Sequence, residues 1–142
     1  VLYLDAVEHE YIDELGGMNF FIIRGNELVT PELNGCILRG VTRKSLLELA
    51  GGLGLEPKEE RLSITKVIEQ IKSGEIQEVF ACGTAAVVTP LSELVYQESK
   101  GAEAQSVVLS EGHDKTLKLR KALMDIHYGR VQDSKGWLTK IH

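Results

Sequence analysis

Four segments of the chain carry residue types that could do chemistry. In Gly40-Val41-Thr42-Arg43 a glycine stands at the threshold of a run with helical spacing. Glycine lets backbone approach a ligand closely. The free N–H groups and positive dipole end of the helix that follows make a natural anion site, suited to a phosphate. In Cys82-Gly83-Thr84-Ala85-Ala86 a small, hydroxyl-bearing turn lies between two apolar runs, and such a turn can offer N–H groups and one O–H to an anion. In Glu14-Leu15-Gly16-Gly17-Met18-Asn19-Phe20 a carboxylate precedes a double glycine and a buried run, where it could sit beside a cationic ring nitrogen. The histidines His9, His113, His127 and His142 are scattered without ligand spacing, which argues against a metal centre. Read singly, each segment also has a plainer meaning: a helix cap, a tight hairpin, a solvated loop glutamate, surface histidines.

These segments need elements to position them. Val1–Leu4 reads as a short strand, Asn19–Arg24 as a buried strand, and Gly25-Asn26 as a hairpin turn returning into Glu27–Thr30. Pro31–Gly35 reads as a loop. Leu46, Ala50 and Leu53 fall at i, i+4, i+7 and predict one helical face, with Thr42 as N-cap of Arg43–Ala50 and Gly51, Gly52 and Gly54 ending it. Ile64, Val67, Ile68 and Ile71 predict a second amphipathic helix, capped by Ser63 and stopped at Gly74. Glu78–Cys82 and Ala86–Thr89 read as strands around the turn Gly83-Thr84-Ala85, with Pro90 ending the second. Leu94–Gln97 and Ser106–Leu109 read as a strand pair around Gly101. Thr116–Tyr128 predicts a last helix with Leu119, Leu123 and Ile126 on one face and Gly129 after it. Strands mixed with helices imply an α+β or mixed α/β domain.

Bulk properties narrow the class. The 142 residues suffice for one domain with a real core, and 43% hydrophobic with 26% charged residues is a globular balance. The net charge is -5, from 16 basic and 21 acidic residues without a dense Lys/Arg cluster, which excludes nucleic acid and anionic membrane as expected partners. The apolar runs fall far short of the ~18 residues that span a bilayer, and no signal-peptide pattern is read. Cys36 and Cys82 make neither a disulfide framework nor a zinc motif, so a reducing compartment is expected: the cytoplasm, or the mitochondrion in a eukaryote.

Taken in order, Leu4-Asp5-Ala6, Glu14-Leu15-Gly16-Gly17-Met18-Asn19, Leu38-Arg39-Gly40-Val41-Thr42-Arg43, Glu78-Val79-Phe80, Gly83-Thr84-Ala85 and Ile126-His127-Tyr128-Gly129-Arg130 resemble branched-chain amino-acid aminotransferases, pyridoxal-phosphate (PLP) enzymes of fold type IV. The resemblance runs from about Val1 to Trp137. It implies that residues 1–142 are the larger, C-terminal, PLP-binding domain of such an enzyme, without its N-terminal small domain. It further implies that Glu14 bonds the pyridine nitrogen and keeps it protonated, so that the ring can act as an electron sink. Leu38 would pack on one ring face. Gly40, Val41 and Thr42 would hold the phosphate at the helix start, with Thr84 a further phosphate ligand through its hydroxyl. The Thr84 and Ala85 backbone would hold the substrate carboxylate, Gly17 and Met18 would form part of the wall around an aliphatic side chain, and Gly83 would also be substrate-binding.

The resemblance also implies what these residues lack. The lysine that forms the Schiff base belongs to a Lys-x-Gly-Gly-Asn-Tyr type motif upstream of Leu4-Asp5-Ala6. None of Lys44, Lys58, Lys66, Lys72, Lys100, Lys115, Lys118, Lys121, Lys135 and Lys140 stands in such a motif, so these residues alone are expected to be inactive. Ala86 and Thr89 stand where some relatives carry a Cys-x-x-Cys pair, so no redox switch is expected there. Gly17 stands where some relatives have threonine, which leaves the shape of the pocket wall open. The expected full-length protein is a homodimer moving an amino group from leucine, isoleucine or valine to 2-oxoglutarate. The competing readings are another fold-type-IV enzyme, such as a D-amino-acid aminotransferase or an aminodeoxychorismate lyase, and a non-catalytic phosphate-binding module.

Overall fold

The computed structural model describes residues 1–97, 101–109 and 112–141; Lys100 and His142 lie outside them. The elements follow as β1 (Leu2–Leu4), β2 (Ile12–Leu15), β3 (Met18–Arg24), β4 (Glu27–Pro31), α1 (Val41–Ala50), β5 (Glu56–Glu60), α2 (Ile64–Lys72), β6 (Ile76–Gly83), β7 (Val87–Leu91), β8 (Glu93–Tyr96), β9 (Gln105–Val108) and α3 (Asp114–His127). This is the mixed α+β architecture expected. No described helix is long and apolar enough to cross a membrane.

Strand β3 organises the molecule. Its side chains alternate between two faces. Phe20 and Ile22 join Val67 and Ile71 of α2 and Leu94 and Val107 of the β8–β9 hairpin in one core. Phe21 and Ile23 join Leu46 and Ala50 of α1 and Leu119 and Leu123 of α3 in the other. Because helices or a second sheet cover both faces, β3 must be apolar throughout its middle, and this made it legible as a continuous run. Phe21 stacks on Phe80, its registered partner on β6, with ring centroids 5.0 Å apart.

The seven-stranded sheet forks at β3. Along one edge β6 runs antiparallel from Asn19↔Cys82 to Arg24↔Ile76. The other edge is divided: β2 pairs with its start, Glu14↔Asn19 and Leu15↔Met18, and β4 with its end, Ile22↔Val29 to Arg24↔Glu27. Where the edge changes hands, the buried Thr30 hydroxyl donates to the Phe20 carbonyl at 2.7 Å and satisfies a ladder group that would otherwise be stranded.

Several elements depart from the sequence reading. Strands β2 and β5 were not anticipated. Strand β5 reads Glu-Pro-Lys-Glu-Glu, a charged edge strand parallel to β4, and such edges carry no apolar alternation. Pro31 closes β4 rather than opening a loop, and Pro90 lies inside β7, tolerated because among the described residues β7 pairs with β6 alone. Leu53 is not on the buried face of α1; it lies in a one-turn 3-10 extension, 38% exposed. Ser63 caps α2 as expected, its hydroxyl accepting from the Lys66 N–H at 3.2 Å, and Gly74 follows at φ 79°. Helix α3 begins two residues before the expected Thr116. The buried Glu78 carboxylate of β6 takes the Lys115 and Thr116 N–H groups at 3.0 and 2.8 Å.

Candidate functional site

The start of α1 is built by Gly40, not by Thr42. Gly40 holds φ 59° and ψ 119°, and its carbonyl accepts the first helical bond from the Lys44 N–H at 3.1 Å. Thr42 is the second residue of the helix, and no side chain caps the first turn. The expected threonine cap is corrected accordingly: only glycine adopts this backbone readily, so the boundary moves earlier in the chain. The consequence favours an anion site, because the Val41 and Thr42 N–H groups, at the positive end of the helix, have no partner among the described residues. The Val41 side chain is 85% exposed.

The segment leading to Gly40 is held by the sheet fork. Glu14, at the end of β2, accepts the Leu38 N–H through Oε1 at 2.7 Å. Asn19, its registered partner on β3, donates Nδ2 to the Leu38 carbonyl at 2.8 Å. Glu14 is therefore neither a loop residue nor fully exposed, and Oε2 keeps no partner among the described residues. The Leu38 side chain is 70% exposed, an apolar group turned to the outside while its own peptide groups are clamped.

Below this segment Arg43 is buried at 4% exposure, its Nη2 donating to the Pro31 carbonyl at 2.9 Å and to Glu59 Oε2 at 2.5 Å. Its Nε has no partner among the described residues. Burial pushes the Cys82 thiol up to about 12, outweighing the nearby Arg43 charge, which favours the thiolate. The first turn of α1 thus lies over the end of β6. The turn that follows β6 runs over Thr84–Ala86, since Gly83 is still in the strand, one residue later than expected. Thr84 and Ala85 are exposed. Met18 packs on Gly83, where a Cβ would lie 3.3 Å from Met18 Cγ. Val87 returns the chain at φ 58°, a rare conformation for a β-branched residue and one that concentrates at functional sites. The Gly16-Gly17 turn between β2 and β3 takes φ 57° and 80°, as a tight hairpin requires.

Glu14, Leu38 and Gly40 are therefore neighbours of one residue, Asn19, whose partner on β6, Cys82, leads into Gly83 and the turn that follows. The sequence reading included Asn19 and Arg43 in its segments but gave neither a role, and it did not name Val87. A signal existed for Asn19, a carboxamide inside an apolar run, and for Arg43, a cation on the inward side of a helix start. Two clefts lie elsewhere. One of about 270 Å³ includes Asp5, Tyr11, Asp13 and Arg61, and one of about 780 Å³ lies between β1, α2 and β8. No group of three or more His, Cys, Asp or Glu suited to a metal occurs among the described residues.

A fold with these loops gathered at the forked end of its sheet has known counterparts. Residues 2–94 match the family described as amino-transferase class IV, and the chain belongs to it. Among similar proteins, a probable branched-chain-amino-acid aminotransferase of Streptomyces coelicolor is 46% identical over 138 residues, covering 97% of this chain and 37% of that protein. The branched-chain-amino-acid aminotransferase of Mycobacterium tuberculosis is 42% identical over 145 residues, 99% of this chain and 38% of that protein. The solved Escherichia coli branched-chain amino acid aminotransferase superposes with a TM-score of 0.76 at 30% identity, over 98% of this chain and 41% of that one. The branched-chain amino acid aminotransferase of Thermobaculum terrenum in its PLP-form gives a TM-score of 0.76 at 28% identity, over 97% and 40%. The chain thus spans about two-fifths of the length of these relatives.

Proposed function

We propose that the protein carrying this chain is a PLP-dependent transaminase. It moves the amino group of leucine, isoleucine or valine to 2-oxoglutarate, and residues 1–142 are its cofactor-binding domain. The observation that carries this reading is the meeting of Glu14, Leu38 and Gly40 at Asn19, at the sheet end where Cys82 leads into the Gly83–Ala85 turn.

The residues fit the cofactor. The uncapped start of α1 offers Val41 and Thr42 N–H groups to a phosphate, and the Thr84 hydroxyl adds a third donor. Leu38 presents an exposed apolar face to a flat ring. Glu14, anchored through Oε1, keeps Oε2 for a ring N–H, and a carboxylate there favours the protonated ring nitrogen. When bound, the cofactor supplies an electron sink for negative charge at the substrate α-carbon. Backbone N–H groups of Thr84 and Ala85 hold the substrate carboxylate, and Gly17, Met18 and Gly83 shape the wall for its side chain. One methylene in such an apolar wall discriminates by only ~1–3 kcal/mol, so all three branched substrates are accepted.

The lysine that joins the cofactor comes from residues outside this stretch. Lys44 pairs with Glu48, Lys58 with Glu27, Lys121 with Asp125, and Lys115 donates to the Gly25 carbonyl. The full-length protein acts as a homodimer. The test is glutamate formation from leucine and 2-oxoglutarate by the protein that carries this chain. Glutamate is the expected product, and none formed while PLP is bound defeats the assignment. Residues 1–142 alone form none.

A further inference from the structure

Asn19 stands between Met18 and Phe20 on β3 and is 6% exposed, so its carboxamide must find partners inside the protein. It finds one 19 residues along the chain, the Leu38 carbonyl. Its other end has a steric role: a Cβ built on Gly40 would fall 2.1 Å from Asn19 Oδ1 and 3.2 Å from Cγ. Asn19 therefore occupies the space that a side chain at position 40 would take. Glu14 grips the opposite peptide group of Leu38. Residues 38–40 form no helix or strand, and Leu38 and Arg39 are exposed, so packing does little to hold them. The two hydrogen bonds to Leu38 and the Asn19–Gly40 contact set where α1 begins.

We propose that Asn19 is a positioning residue for the phosphate-binding start of α1, acting through Leu38 and Gly40 without touching the ligand. The inference rests on the cofactor reading above. Losing the carboxamide leaves the Leu38 carbonyl without its tie to the sheet and opens a gap over Gly40. The backbone from Leu38 to Thr42 is then free to take several positions, of which one aims both N–H groups at a phosphate.

The experiment compares wild type with Asn19→Ala in the apo form of the protein that carries this chain. Dissociation constants are measured for PLP, for inorganic phosphate and for pyridoxal, which lacks the phosphate, beside a urea denaturation curve. The expected result is that PLP and phosphate each bind about three- to tenfold more weakly, the loss usual for one structured hydrogen bond. Pyridoxal binding changes much less. Asn19→Ser keeps a polar group in the strand but is too short to reach Leu38; it shows the same selective loss and carries the test if the alanine variant does not fold. A role confined to folding would shift the urea midpoint and leave phosphate affinity of the folded protein alone. Folded variants that bind phosphate within about twofold of wild type overturn the proposal and leave the cofactor reading intact. Failure of wild type to bind PLP overturns both.

Discussion

Gly40→Ala adds a single methyl group at the point where the loop becomes α1. The added Cβ would lie 2.1 Å from Asn19 Oδ1 and 3.3 Å from Arg43 Cβ, so the Asn19 carboxamide must move and surrender its bond to Leu38. The backbone at φ 59° is itself strained for any residue with a Cβ, at about 1–3 kcal/mol. Forcing a methyl into a filled site costs about 1–3 kcal/mol more. The expected destabilisation is therefore about 2–6 kcal/mol. Gly51→Ala is the matched control. Gly51 has φ -59° and ψ -39°, and nothing lies within 4 Å of its added Cβ. That change should stabilise by about 0.4–1 kcal/mol through the unfolded chain. Urea denaturation separates the two, the midpoint falling for Gly40→Ala and rising for Gly51→Ala with little change in slope. Equal stability of Gly40→Ala and wild type would refute the packing of Asn19 against Gly40.

Two further outcomes follow from the rest of the molecule. The Asp5 carboxylate accepts N–H groups from Tyr11, Glu8, Glu10 and Val7, with Tyr11 and Glu8 contributing most, and they hold its carboxyl well below the usual carboxylate range. A folded-state value below the unfolded one gives stability that is present above about pH 4 and lost as pH falls through the folded value. Wild type should therefore lose more stability between neutral and strongly acid pH than Asp5→Asn, read from urea midpoints at each pH; equal losses would contradict the carboxylate's role. Cys82 is fully buried with its thiol pushed up to about 12, whereas Cys36 is exposed. Within these residues a thiol reagent near pH 8 should label only Cys36 in the native protein and both cysteines in urea, as mass spectrometry of the peptides would show; native labelling of Cys82 would contradict the packing of β6 under α1.

How far the sequence disclosed this structure depended on which physical signal was local. Strand β3 was visible because both of its faces are buried, and α2 because Ser63 and Gly74 mark its ends by their own chemistry. Strand β5 was hidden because its residues are charged and its place is fixed only by β4 beside it. The threonine preference at helix starts pointed to Thr42, yet Gly40 governs the boundary through a positive φ that no residue-type pattern displays. For the site, residue types alone offered a cap, a hairpin and a loop glutamate. The order of the motifs supplied the grouping, through resemblance. The bond between Glu14 and Leu38, 24 residues apart, and the burial of Arg43 against Pro31 and Glu59 are tertiary facts, and neither helical nor strand periodicity carries them.

One cofactor held jointly by the start of α1 and the turn after β6 is the central claim. A crystal structure of the PLP-bound protein that carries this chain tests it directly. The phosphate should lie within hydrogen-bond distance of the Val41 and Thr42 N–H groups and the Thr84 hydroxyl, with Leu38 against the ring and Glu14 at its nitrogen. A phosphate seated elsewhere, as in the cleft beside Asp5 and Arg61, or a ring nitrogen facing away from Glu14, would contradict it.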